Sequence, residues 1–117
     1  MISIVEDDVS VRDAIEAFLK SAGVKSKSYG SAEEFLSSHI PEANDILILD
    51  LNLPGISGYD LLKKLRRNKM IIHVIVTTGF DEPGSRDFCK KYGVKEYLRK
   101  PVDGEALIDL IKYNSHS

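Results

Sequence analysis

The apolar positions of the chain fall into short continuous runs and longer stripes with helical spacing. Residues 46–49 form a run of four apolar residues that ends at Asp50 and is followed by turn residues. A short apolar run between turn signals is typical of a strand buried on both faces, although periodicity alone leaves a buried helix open. Its brevity and the following Pro54–Gly55 pair favour a strand. Asp50 then lies at the carboxyl end of that strand, where open α/β sheets bind ligands.

The same pattern repeats along the chain, so that strands and helices alternate about five times. Further strands are predicted over residues 2–5, 24–29, 70–76 and 94–98. Residues that cap a helix, or that favour its first turn, precede the helical segments. They are Asp8, Ser31 with Glu34, Ser57, Pro83 and Asp103. The alternation predicts a parallel sheet with helices on both faces.

Apolar stripes indicate the inner faces of the first and last helices. The first stripe consists of Val11, Ala14, Ile15, Phe18, Leu19 and Ala22. The last consists of Leu107, Leu110 and Ile111. Gly23 follows the first stripe, where a helix commonly ends. The helix that Ser31 opens is expected to end before Pro41. Residues 114–117 are polar and are expected to fray or to begin a linker, which leaves residues 1–113 as one domain.

Composition restricts the class of protein. A chain of 117 residues with 43% hydrophobic residues is long enough to bury the core of one domain. The formal net charge of -2 gives no electrostatic case for nucleic-acid binding. Cys89 is the one cysteine and cannot form an internal disulfide. No stretch is long enough to span a membrane, and the acidic amino terminus is unlike a signal peptide. A cytoplasmic protein with no membrane partner is expected.

Polar residues lie at the carboxyl ends of four predicted strands. They are Glu6 and Asp7 after the first strand, Asp50 on the third, Thr78 after the fourth and Lys100 after the fifth. Clustered carboxylates repel one another unless a cation lies among them. Oxygen ligands without histidine or cysteine suit a hard ion such as Mg²⁺. The alternative is that these acids cap the first helix, as Asp8 is expected to do.

Thr78 and Lys100 require a further explanation, because a metal site gains nothing from a hydroxyl donor or an ammonium group. A phosphoryl group would use both, since it brings about two negative charges and three acceptor oxygens near neutral pH. Mg²⁺ and Lys100 would offset that charge, Thr78 would donate a hydrogen bond, and Gly79 would leave the approach open. Asp50 would be the nucleophile, because carboxylates form acyl-phosphate intermediates.

The chain resembles the receiver domains of two-component response regulators over essentially its whole length. The match rests on Glu6–Asp7, Asp50, Thr78–Gly79 and Lys100–Pro101, each at family-like spacing. The resemblance implies a flavodoxin-like, three-layer (βα)5 fold with a parallel five-stranded sheet of order 2-1-3-4-5. It also implies Mg²⁺-dependent phosphotransfer to Asp50, assisted by Thr78 and Lys100, from the phosphohistidine of a histidine kinase or a phosphotransfer protein.

The resemblance also implies a set of metal ligands. Mg²⁺, for which Mn²⁺ can substitute, is expected on Glu6 (through water), Asp7, Asp50 and the backbone carbonyl of Asn52. The chain departs from the family at one of these positions, because Glu6 stands where many members have Asp. Glu is also common there, so the geometry of the metal is expected to change only slightly.

Three further expectations come from the resemblance. Tyr97 is the expected switch aromatic, which moves inward when Thr78 moves toward the phosphoryl group; the alternative is a half-buried packing role. Asn52 and Phe80 are expected to control how quickly water removes the phosphoryl group, with Phe80 shielding the path of the water. The Lys100–Pro101 peptide is expected to be cis.

The resemblance implies a signalling switch, with self-catalysed phosphotransfer and no external substrate. Phosphorylation is expected to shift the chain between two conformations that control an output, expected to be transcription. DNA would be reached only through an output domain that this chain does not contain. A homodimer on phosphorylation is a further hypothesis, over a mixed-charge surface formed by Arg86, Lys90, Glu96, Arg99 and Lys112.

Three alternatives belong to other classes. A haloacid-dehalogenase-like phosphatase also uses an Asp nucleophile and Mg²⁺, but it needs a second Asp where this chain has Asn52. A flavodoxin-type electron carrier needs a phosphate-binding loop after the first strand, where residues 6–8 are all acidic. A phosphorylation-independent binding module remains as the third, although such relics usually lose the acids that this chain keeps.

Overall fold

Five parallel strands form a sheet with helices on both faces, within residues 1–38, 45–69, 72–80 and 82–115, the part of the chain that this computed structural model describes. In chain order the elements are β1 (Ile2–Val5), α1 (Val9–Ser21), β2 (Ser26–Tyr29), α2 (Ala32–Ser38), β3 (Ile46–Asp50), α3 (Gly58–Arg67), β4 (His73–Thr78), α4 (Ser85–Lys91), β5 (Glu96–Arg99) and α5 (Gly104–Ser115). Strands and helices alternate five times, as the apolar pattern predicts.

The strand order is β2-β1-β3-β4-β5, which confirms the predicted flavodoxin-like topology. β1 pairs with β2 on one side and with β3 on the other, so the direction of winding reverses between β1 and β3. In register, Val5 pairs with Leu49, and Asp50 pairs with Thr77. The carboxyl ends of β1, β3 and β4 therefore lie side by side at one edge of the sheet.

The central strand β3 is buried on both faces, as its apolar run predicts. Leu47 and Leu49 belong to the core that the sheet forms with α2, α3 and α4. Ile46 and Ile48 belong to the core on the other face, with α1 and α5. Packing on both faces fixes the end of β3, and this determines where Asp50 lies.

Side-chain caps begin the helices at the predicted residues. The Asp8 carboxylate caps α1 and accepts hydrogen bonds from the amides of Ser10 (2.9 Å) and Val11 (3.2 Å). The Ser57 hydroxyl caps α3 and accepts from the Asp60 amide at 3.2 Å. These caps satisfy amides that have no partner inside their own helix, so α1 and α3 start directly after the sheet edge that carries the acids.

The capping box before α2 differs from its expected form. The Ser31 hydroxyl accepts from the Glu34 amide at 3.1 Å, as expected. The Glu34 carboxylate reaches back to the Gly30 amide at 3.2 Å, one residue before the expected position. At the last helix, the Asp103 carboxylate accepts from the Glu105 amide at 3.0 Å, in agreement with the predicted cap.

The helix α4 begins two residues later than predicted. Pro83 was expected in the first helical turn, but it lies in the turn before the helix, which starts at Ser85. The N-cap residue is Gly84, whose φ is 82°. This left-handed conformation suits glycine and interrupts a right-handed helix. The predicted start at Pro83 is therefore wrong.

Other boundaries shift by a few residues. The strands β2 and β5 begin at Ser26 and Glu96, later than predicted, because the residues directly before them form irregular segments. The strand β4 begins at His73, after the irregular Ile72. The helix α5 continues through Ser115 and so includes part of the tail that was expected to fray. Some predicted positions lie outside the described part of the chain: Pro41, residues 70–71 of the fourth predicted strand, and residues 116–117 of the polar tail.

Fewer residues of the predicted apolar stripe of α1 are buried than expected. Ile15 and Leu19 are buried, whereas Ala14 is exposed and Phe18 is 38% exposed. The Phe18 ring lies over Gly104, where an added Cβ would come within 2.5 Å of a ring carbon. Phe18 therefore packs across the gap between α1 and α5 and not into the centre of the core.

Candidate functional site

Three carboxylates meet at the carboxyl edge of the sheet. Glu6 and Asp7 follow β1, and Asp50 ends β3; each places a carboxylate oxygen so that these atoms lie within 4.8 Å of one another. Glu6 and Asp50 are buried, with 1% and 3% of their surface exposed, whereas Asp7 is exposed. The sequence placed these acids at one edge, and the structure brings all three together.

Lys100 supplies a positive charge to this cluster. Its Nζ lies 2.5 Å from Glu6 Oε1 and 3.3 Å from Asp50 Oδ2. Burial alone would lower the pKa of Lys100, but the hydrogen bonds and negative charges of Glu6 and Asp50 outweigh burial and raise that pKa. Lys100 is therefore a protonated ammonium group at neutral pH. The peptide bond that joins it to Pro101 is cis.

The surroundings of Glu6 raise its pKa. Burial raises the pKa of Glu6 from 4.5 to about 7; the hydrogen bond from Lys100 opposes this rise, and the neighbouring Asp50 adds to it. The other Glu6 oxygen, Oε2, accepts from the Asp8 amide at 3.2 Å. A buried carboxyl group with a raised pKa beside a second buried carboxylate indicates a functional site.

Asp50 is held from two sides. Its Oδ1 accepts from the Asn52 amide at 3.1 Å, and its Oδ2 faces the Lys100 ammonium group. Beneath it, Gly58 packs so closely that an added Cβ would lie 2.6 Å from the Asp50 carbonyl oxygen. The start of α3 is thereby held against the end of β3. The Asp50 carboxylate is therefore held between an amide donor and an ammonium group.

Thr78 is completely buried at the end of β4. Its hydroxyl donates to the Phe80 carbonyl oxygen at 2.8 Å, and it lies 3.4 Å from the Asn52 side-chain nitrogen, which donates to it. The Phe80 side chain is 64% exposed beside this group. Thr78, Asn52 and Phe80 are thus in contact with one another and form an uncharged group beside the acids.

Tyr97 lies on β5, and its hydroxyl belongs to a different network. It is 3.0 Å from the Ser85 hydroxyl, which in turn accepts from the Tyr59 hydroxyl at 3.1 Å. The Arg86 guanidinium lies 4.4 Å from the centre of the Tyr97 ring, a distance typical of a cation–π interaction. Tyr97 is half-buried, so its hydroxyl links β5 to the first turn of α4.

Sequence reasoning missed Arg12, Ser85 and Tyr59. The Arg12 guanidinium donates from Nη1 to the Glu6 carbonyl oxygen at 3.0 Å. An arginine one turn into the helix that follows the acids was a signal that could have been used. Ser85 and Tyr59 had no comparable signal, because their hydroxyls meet only when α3, α4 and β5 have packed together.

The donor set fits a hard divalent cation. Glu6, Asp7 and Asp50 offer carboxylate oxygens, which Mg²⁺ prefers, and the exposure of Asp7 leaves room for water ligands. Three carboxylates face the single ammonium group of Lys100 within this described cluster, so a divalent cation would balance the charge. These residues can hold Mg²⁺.

Among the residues that the structure describes, no helix is both long and apolar enough to cross a membrane.

Comparison with known proteins identifies relatives over nearly the whole chain. The chain is 33% identical over 111 residues to nodulation protein W of Bradyrhizobium diazoefficiens, covering 95% of this chain and 49% of that protein. It is 32% identical over 111 residues to the transcriptional regulatory protein FixJ of Azorhizobium caulinodans, covering 95% of this chain and 53% of FixJ. The chain thus spans about half the length of these curated relatives.

Solved structures share the fold. The response regulator StyR superposes with a TM-score of 0.89 at 31% identity, covering 98% of this chain and 58% of that one. FixJ-N superposes with a TM-score of 0.86 at 31% identity, covering 98% and 92%. The chemotaxis protein CheY4 of Vibrio cholerae, at 22% identity, has a TM-score of 0.83 over 96% and 95% of the two chains and shows the fold alone.

The family assignment agrees with the site. Residues 2–112 match the response regulator receiver domain family, and this range includes Glu6, Asp7, Asp50, Thr78 and Lys100. The match decides against the two alternative classes, a haloacid-dehalogenase-like phosphatase and a flavodoxin-type electron carrier. The chain belongs to the receiver domain family of two-component response regulators.

Proposed function

We propose that Asp50 accepts a phosphoryl group from the phosphohistidine of a histidine kinase or a phosphotransfer protein. The observation that supports this most strongly is the environment of its carboxylate. Asp50 is buried between the Asn52 amide and the Lys100 ammonium group, with Glu6 and Asp7 beside it. A fixed carboxylate with donors and a cation site around it is suited to in-line attack on phosphorus.

In this reaction, an Asp50 carboxylate oxygen forms a bond to phosphorus while the bond from phosphorus to the histidine nitrogen breaks. The imidazole nitrogen keeps the electron pair of the broken bond and takes up a proton from solvent. Lys100 stabilises negative charge on the transferred phosphoryl oxygens, and the Thr78 hydroxyl donates to one of them. The Lys100 ammonium group contacts the Asp50 carboxylate, and the Thr78 hydroxyl contacts the Asn52 side chain, so both groups line the site.

Mg²⁺ is the proposed cofactor, and Mn²⁺ can substitute. The proposed ligands are Asp7, Asp50, the backbone carbonyl of Asn52 and, through water, Glu6. When bound, the ion neutralises charge on the carboxylates and on the phosphoryl oxygens. The chain supplies the ligand oxygens, and Lys100 supplies the remaining charge balance.

The signal is proposed to pass from Thr78 to Tyr97. To donate to a phosphoryl oxygen, the Thr78 hydroxyl must give up its hydrogen bond to the Phe80 carbonyl, which moves the loop after β4. Tyr97 would then exchange its contact with Ser85 for an inward position. The output is proposed to be transcription, since relatives include transcriptional regulatory proteins, and DNA would be reached through a domain outside this chain.

Phe80 and Asn52 are proposed to set the lifetime of the phosphoryl group. The Phe80 ring is 64% exposed next to Thr78, where it can cover the path of an attacking water molecule. We expect Phe80→Ala and Phe80→Glu to change the rate at which phosphorylated protein loses its phosphoryl group. Equal lifetimes across the parent and both variants would remove this role.

Dimerisation on phosphorylation is proposed for the face of α4, β5 and α5. It carries charges of both signs, so that two copies can form complementary ion pairs. Sedimentation with and without beryllofluoride, a phosphoryl mimic, tests this: a heavier species is expected only with the mimic. A monomer under both conditions counts against the dimer and leaves the chemistry at Asp50 untouched.

The direct test of phosphotransfer uses phosphoramidate, whose phosphorus–nitrogen bond is like that of phosphohistidine. Incubation with Mg²⁺ is expected to add one phosphoryl group to the parent, detected by intact mass. Asp50→Asn should gain none, whereas Asp60→Asn, which alters an exposed acid on α3, should gain as much as the parent. Equal labelling of Asp50→Asn and the parent would contradict the proposal.

A further inference from the structure

Arg12 reaches from α1 to the turn that carries the two acids after β1. It lies in the first turns of the helix and is partly exposed. Its guanidinium Nη1 donates to the Glu6 carbonyl oxygen at 3.0 Å. That carbonyl belongs to the peptide between Glu6 and Asp7, so its orientation helps to set the direction of both side chains.

The preceding peptide, between Val5 and Glu6, lies where strand pairing ends. The Glu6 amide donates to the Tyr29 carbonyl at 3.1 Å, the last backbone contact between β1 and the end of β2. Beyond it the chain turns through Asp7 to the Asp8 cap of α1. The sheet therefore holds Glu6 at its own amide, and Arg12 holds Glu6 at its carbonyl, which belongs to the next peptide. The turn is thereby fixed from two directions.

Gly30 leaves space for the guanidinium. An added Cβ at Gly30 would lie 3.0 Å from Arg12 Nη1, closer than such contacts normally are. The Gly30 amide is itself held by the Glu34 carboxylate at 3.2 Å. Arg12 therefore fits between α1, the end of β1 and the turn before α2, and this fit gives the guanidinium a defined position.

We infer that Arg12 is a positioning residue for the divalent-cation site: it fixes the Glu6–Asp7 peptide so that both carboxylates face Asp50. The inference rests on the proposed Mg²⁺-dependent function. Arg12 acts through the backbone and contacts neither the ion nor the phosphoryl group. Groups that orient ligand-bearing residues typically change metal affinity when they are removed.

Charge and geometry predict opposite results at this position. A cation near a group of carboxylates repels Mg²⁺, so removing a purely electrostatic arginine would tighten Mg²⁺ binding. Removing a positioning arginine lets the Glu6–Asp7 peptide rotate and weakens binding. The sign of the change in the dissociation constant therefore separates the two roles.

Titration calorimetry of the metal-free protein with Mg²⁺, at constant ionic strength, provides the test. We expect Arg12→Ala to weaken Mg²⁺ binding by about 10-fold, the lower end of such effects. Arg12→Lys, which keeps the charge, should recover only part of the loss because a compact ammonium group replaces the planar guanidinium that fits beside Gly30. Lys20→Ala removes an exposed charge from the same helix and should bind Mg²⁺ like the parent.

A second variant guards against a failure of Arg12→Ala to fold. Gly30→Ala keeps Arg12 but crowds its guanidinium, and we expect a smaller loss of Mg²⁺ affinity with native circular dichroism. Equal or tighter Mg²⁺ binding by folded Arg12→Ala, or parent-like binding by Gly30→Ala together with full recovery in Arg12→Lys, would overturn the inference. If the parent itself bound no Mg²⁺, the proposed function would fail as well, so the two failures are distinguishable.

Discussion

At the scale of single residues, three acids that are neighbours in sequence have different positions and contacts at the site. Glu6 is buried and pairs with Lys100, Asp7 is exposed at the edge of the same cluster, and Asp8 caps α1. Burial disfavours the charged form of Glu6, while Lys100 favours it. In the metal-free protein, burial and the Lys100 charge therefore have opposite effects on Glu6, at the position where a cation is proposed to bind.

The raised pKa of Glu6 predicts a pH dependence of stability. Because the folded state binds this proton more tightly than the unfolded state, the stabilisation is present below pH 4.5 and is lost as the pH rises through about 7. Without metal, Glu6→Gln should remove this loss, which we expect to be on the order of 3 kcal/mol. Urea unfolding with a chelator between about pH 4.5 and pH 8 measures it.

The control for this measurement is Glu105→Gln, which neutralises an exposed acid on α5. Its stability should follow the same pH dependence as the parent. Parallel curves for Glu6→Gln and the parent would show that the Glu6 pKa is not raised.

The sequence was informative about the identity of the site residues and silent about their burial. Asp50, Thr78 and Lys100 could be found because each ends a strand or follows one. The burial of Glu6 could not be found, because Asp7 and Asp8 are equally acidic and only the direction of the turn after β1 separates them. That turn is held by Arg12, a contact between elements that no periodicity reports.

At the scale of elements, the junction between β3 and α3 has the least room for change. An added Cβ at Gly58 would lie 2.6 Å from both the Asp50 carbonyl oxygen and the Leu51 Cα, and backbone atoms cannot move aside as a flexible side chain can. We expect Gly58→Ala to destabilise the fold by about 1–3 kcal/mol, as overpacking does. The free energy of unfolding in urea measures this effect.

Gly79→Ala provides the matched control for the β3–α3 junction. Its added Cβ would meet only Lys100 Cδ, at an ordinary 3.9 Å, so this variant should unfold close to the parent. If Gly58→Ala were as stable as Gly79→Ala, the close packing under Asp50 would not be a constraint.

The hydroxyl chain of Tyr59, Ser85 and Tyr97 connects α3, α4 and β5. Ser85 is 3% exposed, so its loss removes a buried bridging group. We expect Ser85→Ala to cost about 1 kcal/mol of stability for each hydrogen bond lost and to change the environment of the Tyr97 ring. Fluorine NMR of protein labelled with fluorotyrosine reports both the change and its location.

The exposed Tyr113 serves as the internal reference in that spectrum, since it is 80% exposed and far outside this hydroxyl chain in sequence. Its signal should not move. A Tyr97 signal identical in the parent and in Ser85→Ala would mean that Ser85 does not hold the Tyr97 ring in place.

The order of elements followed from apolar spacing, while their ends did not. The strand β3 could be predicted because a short apolar run between turn signals is typical of a buried strand. The start of α4 was misjudged because Pro83 favours a first helical turn, yet the left-handed Gly84 stands between it and the helix. The preference of Pro83 for a first helical turn did not set the start of α4, because the left-handed conformation of Gly84 did.

At the scale of the whole molecule, folding is what creates the cation site. Asp50 is 43 residues from Asp7 and 44 from Glu6 in sequence, and the pairing of β1 with β3 brings it beside them. A ligand that binds only the folded state stabilises it by mass action. We expect Mg²⁺ at about 100 times its dissociation constant to stabilise the fold by about 2.7 kcal/mol.

Thermal or urea unfolding measures this stabilisation, with NaCl at equal ionic strength as the control for screening. A chelator should reverse the effect of Mg²⁺, and Asp7→Asn should reduce it. Equal stabilisation by NaCl and Mg²⁺ would show general screening and no specific cation site.

The central claim is that the carboxylate of Asp50, and no other group, takes up a phosphoryl group when a divalent cation is present. The most direct measurement treats the parent with acetyl phosphate, with Mg²⁺ or with a chelator, and locates the added phosphoryl group by peptide mass spectrometry. The account predicts a single acid-labile group on the peptide containing Asp50, formed with Mg²⁺ and nearly absent with the chelator. Labelling at another residue, or equal labelling without the ion, would contradict it.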